Sequence, residues 1–415
     1  MTTGVQEPMA ATRGQRKKPR VFVLASTYPR WPGDHEPSFV HELCRRLLDR
    51  FDVTVVTSHV QDAAREETMD GVDVLRYRYA PESWQTLVYG GGIAVNLRRS
   101  PWKYLLVPGF ILMQYLAART AIRRRGADVV HAHWLIPQGT VAACLGRRLR
   151  IPFVVTSHGG DLFGLRGRAL TAMKRDVAER AAGVTVVSQA MSDELAHIGV
   201  STVAVDVIPM GVDLKTRFAA DARIARSADE LLFVGRLVAK KGLPNLLGAL
   251  ALLVRDRPAC RLTIAGFGPE EQALRRQVER LGLADRVTFL GPVQQQDLPA
   301  LYRRAALLAA PFVRDASGNQ EGLPVVLMEA IACGCPVVVG QVAGLADLLG
   351  PEPTRYCVDP TDAQKLAAAI AHVLDHPDEA SAWVERKRQY ALSQFDWDVI
   401  ASRYGDVLER ALSTR

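Results

Sequence analysis

From residue 20 onward the chain alternates short runs of β-branched and apolar residues with longer amphipathic stretches. Runs without polar alternation suit strands covered on both faces, and parallel strands need helical crossovers between them. Strands are expected at Arg20–Ala25, Val53–Thr57, Val72–Arg76, Asp128–Ala132, Phe153–Ser157, Val184–Val187 and Ala204–Ile208. A second series follows at Leu231–Val234, Arg261–Ala265, Val287–Leu290, Leu307–Ala310 and Pro336–Val339. Helical periodicity fills the intervals, for example at Pro37–Asp49, Leu243–Val254, Glu270–Leu281 and Ala363–Leu374. The class is α/β, and 415 residues suffice for two doubly wound, Rossmann-like domains of about 200 residues each. The polar loop after Pro209-Met-Gly-Val-Asp213 divides them into 19–212 and 213–392. Residues 1–18 form a polar, basic tail expected to be disordered. Residues 393–415 are expected to form a helix that crosses back to the first domain, with Trp397, Ile400, Tyr404, Val407 and Leu408 on one face.

Such sheets bind ligands beyond the carboxyl ends of their strands, so the loops that follow strands are the candidate sites. After the strand at 231–234 come Gly235, Arg236, Lys241 and Gly242. A guanidinium fork beside an ammonium suits a diphosphate. Gly266 and Gly268 follow the next strand and permit a tight turn with close backbone approach to a ligand. Further along stands Glu321-Gly322-Leu323-Pro324, then an apolar run to Glu329, eight positions after Glu321. A helix from Pro324 to Cys333, with Pro324 in its first turn, would turn both carboxylates toward a crevice mouth while Leu327, Ile331 and Ala332 face the core. In the first half, His158 follows a strand beside Gly159 and Gly160. Its imidazole can bind sugar hydroxyls or share developing charge, and Asp161 can orient it or meet an acceptor. His131 and His133, two apart on extended backbone, point the same way. They could chelate a metal, but no third ligand presents itself, and packing or acceptor contact is the better reading of His133. The loop Thr27–Phe39 offers Gly33, Arg30 and His35, which can close over phosphate or acceptor.

Residues 321–339 resemble the Glu-x7-Glu signature and the following Ala-Cys-Gly-x-Pro-Val-Val of retaining nucleotide-sugar glycosyltransferases of family 4. Gly235-Arg236-Leu…Lys241-Gly242 and Gly266-x-Gly268-Pro-Glu resemble the same family's donor loops. The resemblance spans roughly residues 20–412. It implies a GT-B architecture, with two Rossmann-like domains facing across a cleft. It further implies Arg236 and Lys241 on the donor pyrophosphate, Glu321 near the donor sugar and Glu329 on the ribose hydroxyls. Main-chain groups near Val293 would hold the base, and His158 would contact the sugar. Transfer would retain configuration on one face of the sugar, with the leaving phosphate taking the acceptor proton and no metal or cofactor required. Two departures stand out. The ten-residue loop around Gly33 replaces a Gly-Gly turn, and Met210 replaces a common Asn, leaving Gly211 and Asp213 as hinge residues.

Together these imply transfer of a hexose from a nucleotide-diphosphate sugar to a glycan or lipid-linked saccharide in cell-surface polysaccharide or glycolipid synthesis. A glycoside hydrolase has no use for the Arg236/Lys241 pair. The rivals are an epimerase or phosphorylase on the same fold and a non-catalytic subunit that binds sugar nucleotide. Asp396-x-Asp398 reads as a helix N-terminus, not a metal site.

Charge bears on the partner. Residues 1–217 hold 29 Lys and Arg against 20 Asp and Glu, whereas residues 218–415 hold 23 against 24. The excess on the first half calls for an anionic partner. No nucleic-acid motif or stacking platform accompanies it. The segment Tyr104–Ala118 is apolar, interrupted by Pro108-Gly109 and too short to span a bilayer. Arg98, Arg99, Trp102 and Lys103 precede it, and Arg119 and Arg123–Arg125 follow. It reads equally as a segment lying among acidic headgroups and as a helix between sheet and solvent. Six irregularly spaced cysteines give no disulfide framework, and the N-terminus lacks an apolar leader. A cytoplasmic protein is expected, and the headgroup reading of Tyr104–Ala118 would attach it to the inner membrane face.

Overall fold

A computed structural model of the protein describes residues 18–34, 38–89, 92–201, 203–314, 324–341, 345, 349 and 356–414. Two sheets organise it. The first is built from β1 (Arg20–Leu24), β2 (Asp52–Ser58), β3 (Glu66–Met69), β4 (Val72–Tyr77), β5 (Val129–His133), β6 (Phe153–Ser157), β7 (Gly183–Val186) and β8 (Val205–Val207). Their order is β3-β4-β2-β1-β5-β6-β7-β8, and every pairing except β3 with β4 is parallel. Val21 of β1 pairs with Val53 on one side and Val129 on the other, and all three are buried. The second sheet is wholly parallel. Its strands are β9 (Glu230–Val234), β10 (Arg261–Ala265), β11 (Val287–Gly291), β12 (Leu307–Ala310), β13 (Val337–Gly340) and β14 (Cys357–Val358), in the order β11-β10-β9-β12-β13-β14. The strand order reverses between β1 and β5 in one sheet and between β9 and β12 in the other. Those are the points where a doubly wound sheet opens a crevice.

Helices cover both faces. In chain order they are α1 (Phe39–Leu47), α2 (Ile93–Arg99), α3 (Leu106–Arg125), α4 (Thr140–Leu149), α5 (Gly160–Phe163), α6 (Arg168–Arg180) and α7 (Gln189–His197), then α8 (Leu243–Asp256), α9 (Glu271–Arg280), α10 (Leu298–Arg304), α11 (Val325–Ala332), α12 (Ala363–Asp375), α13 (Pro377–Phe395) and α14 (Trp397–Ser413). One long helix, α13, precedes the crossing and buries Trp383, Val384 and Phe395 in the second core. The chain then turns at Asp396, whose carboxylate accepts from the Asp398 N–H as an N-cap. Lys215 Nζ holds that turn, 3.1 Å from Asp396 and 2.6 Å from Asp398.

Beyond the turn, α14 lays Trp397, Ile400, Tyr404, Val407 and Leu408 against Val21, Val53, Val129 and Val154 of the first sheet. Gly211 is fixed by this crossing, because a Cβ there would lie 2.4 Å from the Trp397 ring. Asp213 caps its own turn, accepting from the N–H groups of Thr216 and Arg217. In place of an open hinge, the junction is a packed, hydrogen-bonded corner.

The Pro108-Gly109 pair does not interrupt its segment. A 3-10 turn at Pro101–Leu105 leads into α3, and Pro108 falls in the first α-helical turn, where a missing N–H costs nothing. Gly109 allows the backbone of Tyr79 to approach, since a Cβ would stand 2.9 Å from the Tyr79 carbonyl oxygen. The continuous helix from Pro101 to Arg125 is long and apolar enough to cross a membrane by length and composition. Its inner face nevertheless packs on the first core through Phe110, Ala118 and Ile122.

Candidate active site

In the second domain the carboxyl-end loops are laced to one another. The Gly235 N–H donates to the Ala265 carbonyl at 3.0 Å, the Leu237 N–H to Phe267 at 3.0 Å and the Gly266 N–H to Gly291 at 2.8 Å. A Cβ on Gly266 would stand 1.8 Å from the Gly235 carbonyl oxygen, and one on Gly268 would stand 2.4 Å from that of Leu237. These glycines therefore admit a neighbouring loop, a close approach that any side chain at either position would block. Gly242, at φ +67°, plays the same part toward β12, with the Pro311 carbonyl oxygen 1.8 Å from where its Cβ would be.

The consequence is a rigid rim at the strand-order reversal. Lys241 arches over it, its Nζ 4.7 Å from the Phe312 ring centroid at the end of β12 and its side chain against Gly235 at the end of β9. Arg236 is exposed on the same loop. Val293, after β11, is half-buried against the second core.

Helix α11 begins at Val325, with Pro324 extended as its N-cap and not in the first turn. Glu329 falls in the second turn, as the sequence implied, but it does not face a crevice mouth. It is 4% exposed, and the Tyr302 hydroxyl donates to its Oε2 at 2.8 Å. Gln295 also hydrogen-bonds it, and Arg217 Nη1 in turn donates to Gln295 Oε1 at 3.1 Å. Burial, which penalises the charged form, pushes the Glu329 carboxyl up to about 7, against the opposing pull of Tyr302, Gln295 and Arg217. Tyr302, Gln295 and Arg217 carry no motif and were missed by sequence reasoning. Glu321, Gly322 and Leu323 lie outside the described residues, as does His35.

In the first domain, the turn after β6 is held by Asp161. Its carboxylate accepts from the Leu135 N–H at 2.6 Å, Ser157 Oγ at 2.9 Å and the His158 N–H at 3.2 Å. Asp161 is 3% exposed and so fixes the backbone beneath His158; it neither orients the imidazole directly nor meets an acceptor. The imidazole is held by His133, whose Nδ1 lies 2.9 Å from His158 Nε2. His131 points the same way and bonds Thr156 Oγ1 at 2.8 Å. His131 and His133 are fully buried, so His133 is a support for His158 and not an acceptor contact. Burial holds His131 and His158 down to about 3 and His133 well below the usual range, so all three are neutral at pH 7. Among the described residues no three His, Cys, Asp or Glu side chains gather as a metal site.

The loop after β1 differs from its expected role. The Arg30 guanidinium forks onto Asp34 at 2.9 and 2.6 Å and stacks 4.4 Å from the Trp31 ring centroid. It is thus turned inward on its own loop and not extended over phosphate. Gly33, at φ +78°, supplies the turn between Trp31 and Asp34 with no neighbour within 4 Å of its Cβ position. Arg76, buried, anchors this loop by donating to the carbonyls of Pro29 and Arg30 at 2.9 and 3.1 Å.

Comparison with known proteins agrees with this architecture. The model of the family described as Glycosyltransferase Family 4 matches residues 38–216, and that of Glycosyl transferases group 1 matches residues 215–390. The chain is 31% identical over 290 residues to a glycogen synthase of Mycobacterium tuberculosis, covering 68% of each chain. It is 32% identical over 266 residues to a GDP-mannose-dependent alpha-(1-6)-phosphatidylinositol monomannoside mannosyltransferase of Mycolicibacterium smegmatis, covering 61% of this chain and 69% of that one. Among solved structures, sucrose-phosphate synthase of Thermosynechococcus elongatus superposes with a TM-score of 0.73 at 22% identity, covering 96% of this chain and 100% of that one. The Anabaena HepE protein in complex with UDP and glucose superposes with a TM-score of 0.67 at 19% identity, covering 94% and 99%. A largely parallel sheet and a wholly parallel one, joined by a helix that returns to the first, are the GT-B fold, and the chain belongs to glycosyltransferase family 4.

Proposed function

We propose that the protein is a retaining hexosyltransferase that moves a sugar from a nucleotide-diphosphate donor to a glycan or lipid-linked saccharide in cell-surface polysaccharide or glycolipid synthesis. The observation that carries this reading is the placement of Lys241 over the strand-order reversal between β9 and β12, with Arg236 exposed on the same loop. Two cations on one rigid rim neutralise the charge that develops on a departing diphosphate, and a preorganised rim costs no rearrangement at the moment of transfer. Glu321 takes the donor-sugar role that the resemblance implies, while the buried Glu329, held by Tyr302, supports its helix from within. Retention proceeds without metal, the leaving phosphate receiving the acceptor proton. The mannosyltransferase relative acts on a phosphatidylinositol monomannoside, which supports a lipid-linked acceptor here.

The same reading places the first domain on an acidic bilayer. The outer side of α3 and its leading turn exposes Trp102, Tyr104, Leu105, Leu112 and Leu116, with Leu105 81% and Leu112 56% exposed. Trp84 joins them, its ring centroid 6.0 Å from that of Trp102. Leu112, Leu116, Arg119 and Arg123 succeed one another at helical spacing, so apolar anchors and cations share a stripe.

The test is a thermal-shift panel of UDP-, GDP- and ADP-sugars. One nucleotide should raise the melting temperature selectively, and Arg236→Ala should abolish the rise. A variant that responds like the parent would remove Arg236 from the diphosphate.

A further inference from the structure

His133 sits at the end of β5 with its whole ring out of solvent, yet one of its nitrogens has no partner. Nδ1 meets His158 Nε2 at 2.9 Å, and the two rings are nearly parallel, 12° apart with centroids separated by 5.1 Å. Nε2 is buried without a hydrogen bond. A neutral imidazole carries its single proton on one nitrogen or the other, and the environment of both decides which. A buried N–H without an acceptor is rarer and costlier than a buried lone pair without a donor. The orphaned Nε2 is therefore the bare nitrogen, and Nδ1 bears the proton.

The neighbouring ring obeys the same rule. His131 Nδ1 is also buried and unpartnered, whereas its Nε2 meets Thr156 Oγ1. Its proton belongs on Nε2, donated to Thr156, whose own hydroxyl lies 2.6 Å from that of Thr185. The two histidines thus take opposite tautomers on the same strand, each set by its orphaned nitrogen.

We propose that His133 is a positioning residue that fixes the tautomer of His158, so that His158 offers an Nδ1–H donor to the sugar-phosphate substrate and cannot act on it as a base. His133 Nδ1–H donates to His158 Nε2, which must then be a bare acceptor, so the only proton of His158 lies on Nδ1, on the far side of the ring from His133. Phe39 and Trp134 flank the His158 ring, at 4.9 and 5.0 Å between centroids, and Asp161 holds the backbone beneath it. The ring has little freedom to flip and exchange its nitrogens. A neutral donor at this place can bind a sugar hydroxyl or a phosphate oxygen. It cannot deprotonate the acceptor, so that proton must go to the leaving phosphate or to another group. The kinetic part of this inference rests on the glycosyl-transfer reading; the tautomer does not.

The experiment is long-range nitrogen–proton correlation NMR on protein labelled with 15N-histidine, with His158 assigned by loss of its signals in His158→Gln. The expected result in the unmodified protein is a protonated Nδ1 and a bare Nε2 on His158, and the same on His133. His133→Asn, whose amide can donate from the same place, should preserve that pattern. His133→Phe should move the His158 proton to Nε2. With the preferred nucleotide sugar, kcat should fall about tenfold in His133→Phe and recover in His133→Asn, while donor KM stays within about twofold. A proton on His158 Nε2 in the unmodified protein overturns the proposal, whether or not either variant folds. So does a His133→Phe protein in which the His158 tautomer is unchanged. Correct tautomers in a protein that transfers no sugar would leave the positioning intact and count against the enzymatic reading alone.

Discussion

Tyr302, on α10, donates its hydroxyl to Glu329 on α11 at 2.8 Å, with both side chains closed off from solvent. A carboxyl in that setting is cheaper to bury protonated than charged, and burial outweighs the hydrogen bonds that favour the charge.

The consequence is a pH-dependent stability with a definite sign. Below about pH 4.5 the folded and unfolded chains both hold the Glu329 proton. Between there and about 7 only the folded chain does, so stability from this group is lost as pH rises through that window. Glu329→Gln mimics the protonated acid at every pH. It should match the parent at pH 4.5 and exceed it at pH 8, by on the order of 3 kcal/mol. Melting curves of both proteins at the two pH values check this. A Gln variant that melts below the parent at pH 8 would show the charged form to be the favoured one.

Gly242 predicts the opposite kind of change. Its φ of +67° and the Pro311 carbonyl oxygen 1.8 Å from its Cβ position leave no room for alanine. Gly242→Ala should destabilise the second domain by about 3 kcal/mol and displace Lys241, whose place depends on this turn. Denaturant unfolding gives the first effect. Loss of the nucleotide-induced thermal shift gives the second. A fully stable variant with an unchanged shift would mean the rim is not rigid.

The α/β alternation and the returning helix were legible because both depend on local periodicity, and α14 carries its buried residues at plain helical spacing. Strands β3 and β14 were not. Glu66-Glu-Thr-Met69 lacks an apolar pattern and is held only by antiparallel pairing with β4, while β14 is two residues long. The positions of the site loops followed from strand ends, but what each residue touches did not. The Gly235 carbonyl that stands opposite Gly266 is a contact between loops that no spacing in the sequence shows. His133 and His158 stand 25 residues apart and meet only because β5 and β6 are neighbours in register, with His133 opposite Thr156. The inward turn of Arg30 depends on Asp34 four residues later, a pairing that the expected phosphate role had obscured.

Removing α14 should separate the two domains' fates. That helix buries Trp397, Ile400, Tyr404 and Leu408 against the first sheet, whereas α13 stays with the second core. A chain ending at Phe395 should expose apolar dye-binding surface and lose cooperative melting of the first domain, with the second domain's nucleotide response retained. Equal loss of both would mean that the second domain depends on the crossing as well.

The outer stripe of α3 makes a prediction about membranes that distinguishes its apolar and cationic parts. Burying one leucine side chain contributes about 1.5 to 3 kcal/mol, and each cation near an acidic surface contributes about 1 kcal/mol. Leu112→Glu with Leu116→Glu should therefore weaken sedimentation with phosphatidylserine-containing vesicles by at least a hundredfold at any salt concentration. Arg119→Gln with Arg123→Gln should weaken it about thirtyfold at low salt and hardly at all at high salt, where screening has already removed their contribution. Neither pair touches the carboxyl-end loops, so nucleotide-induced thermal shifts should be unchanged in both. A parent protein that ignores vesicle charge, or leucine variants that sediment like the parent, would mean that this exposed face meets something other than a bilayer.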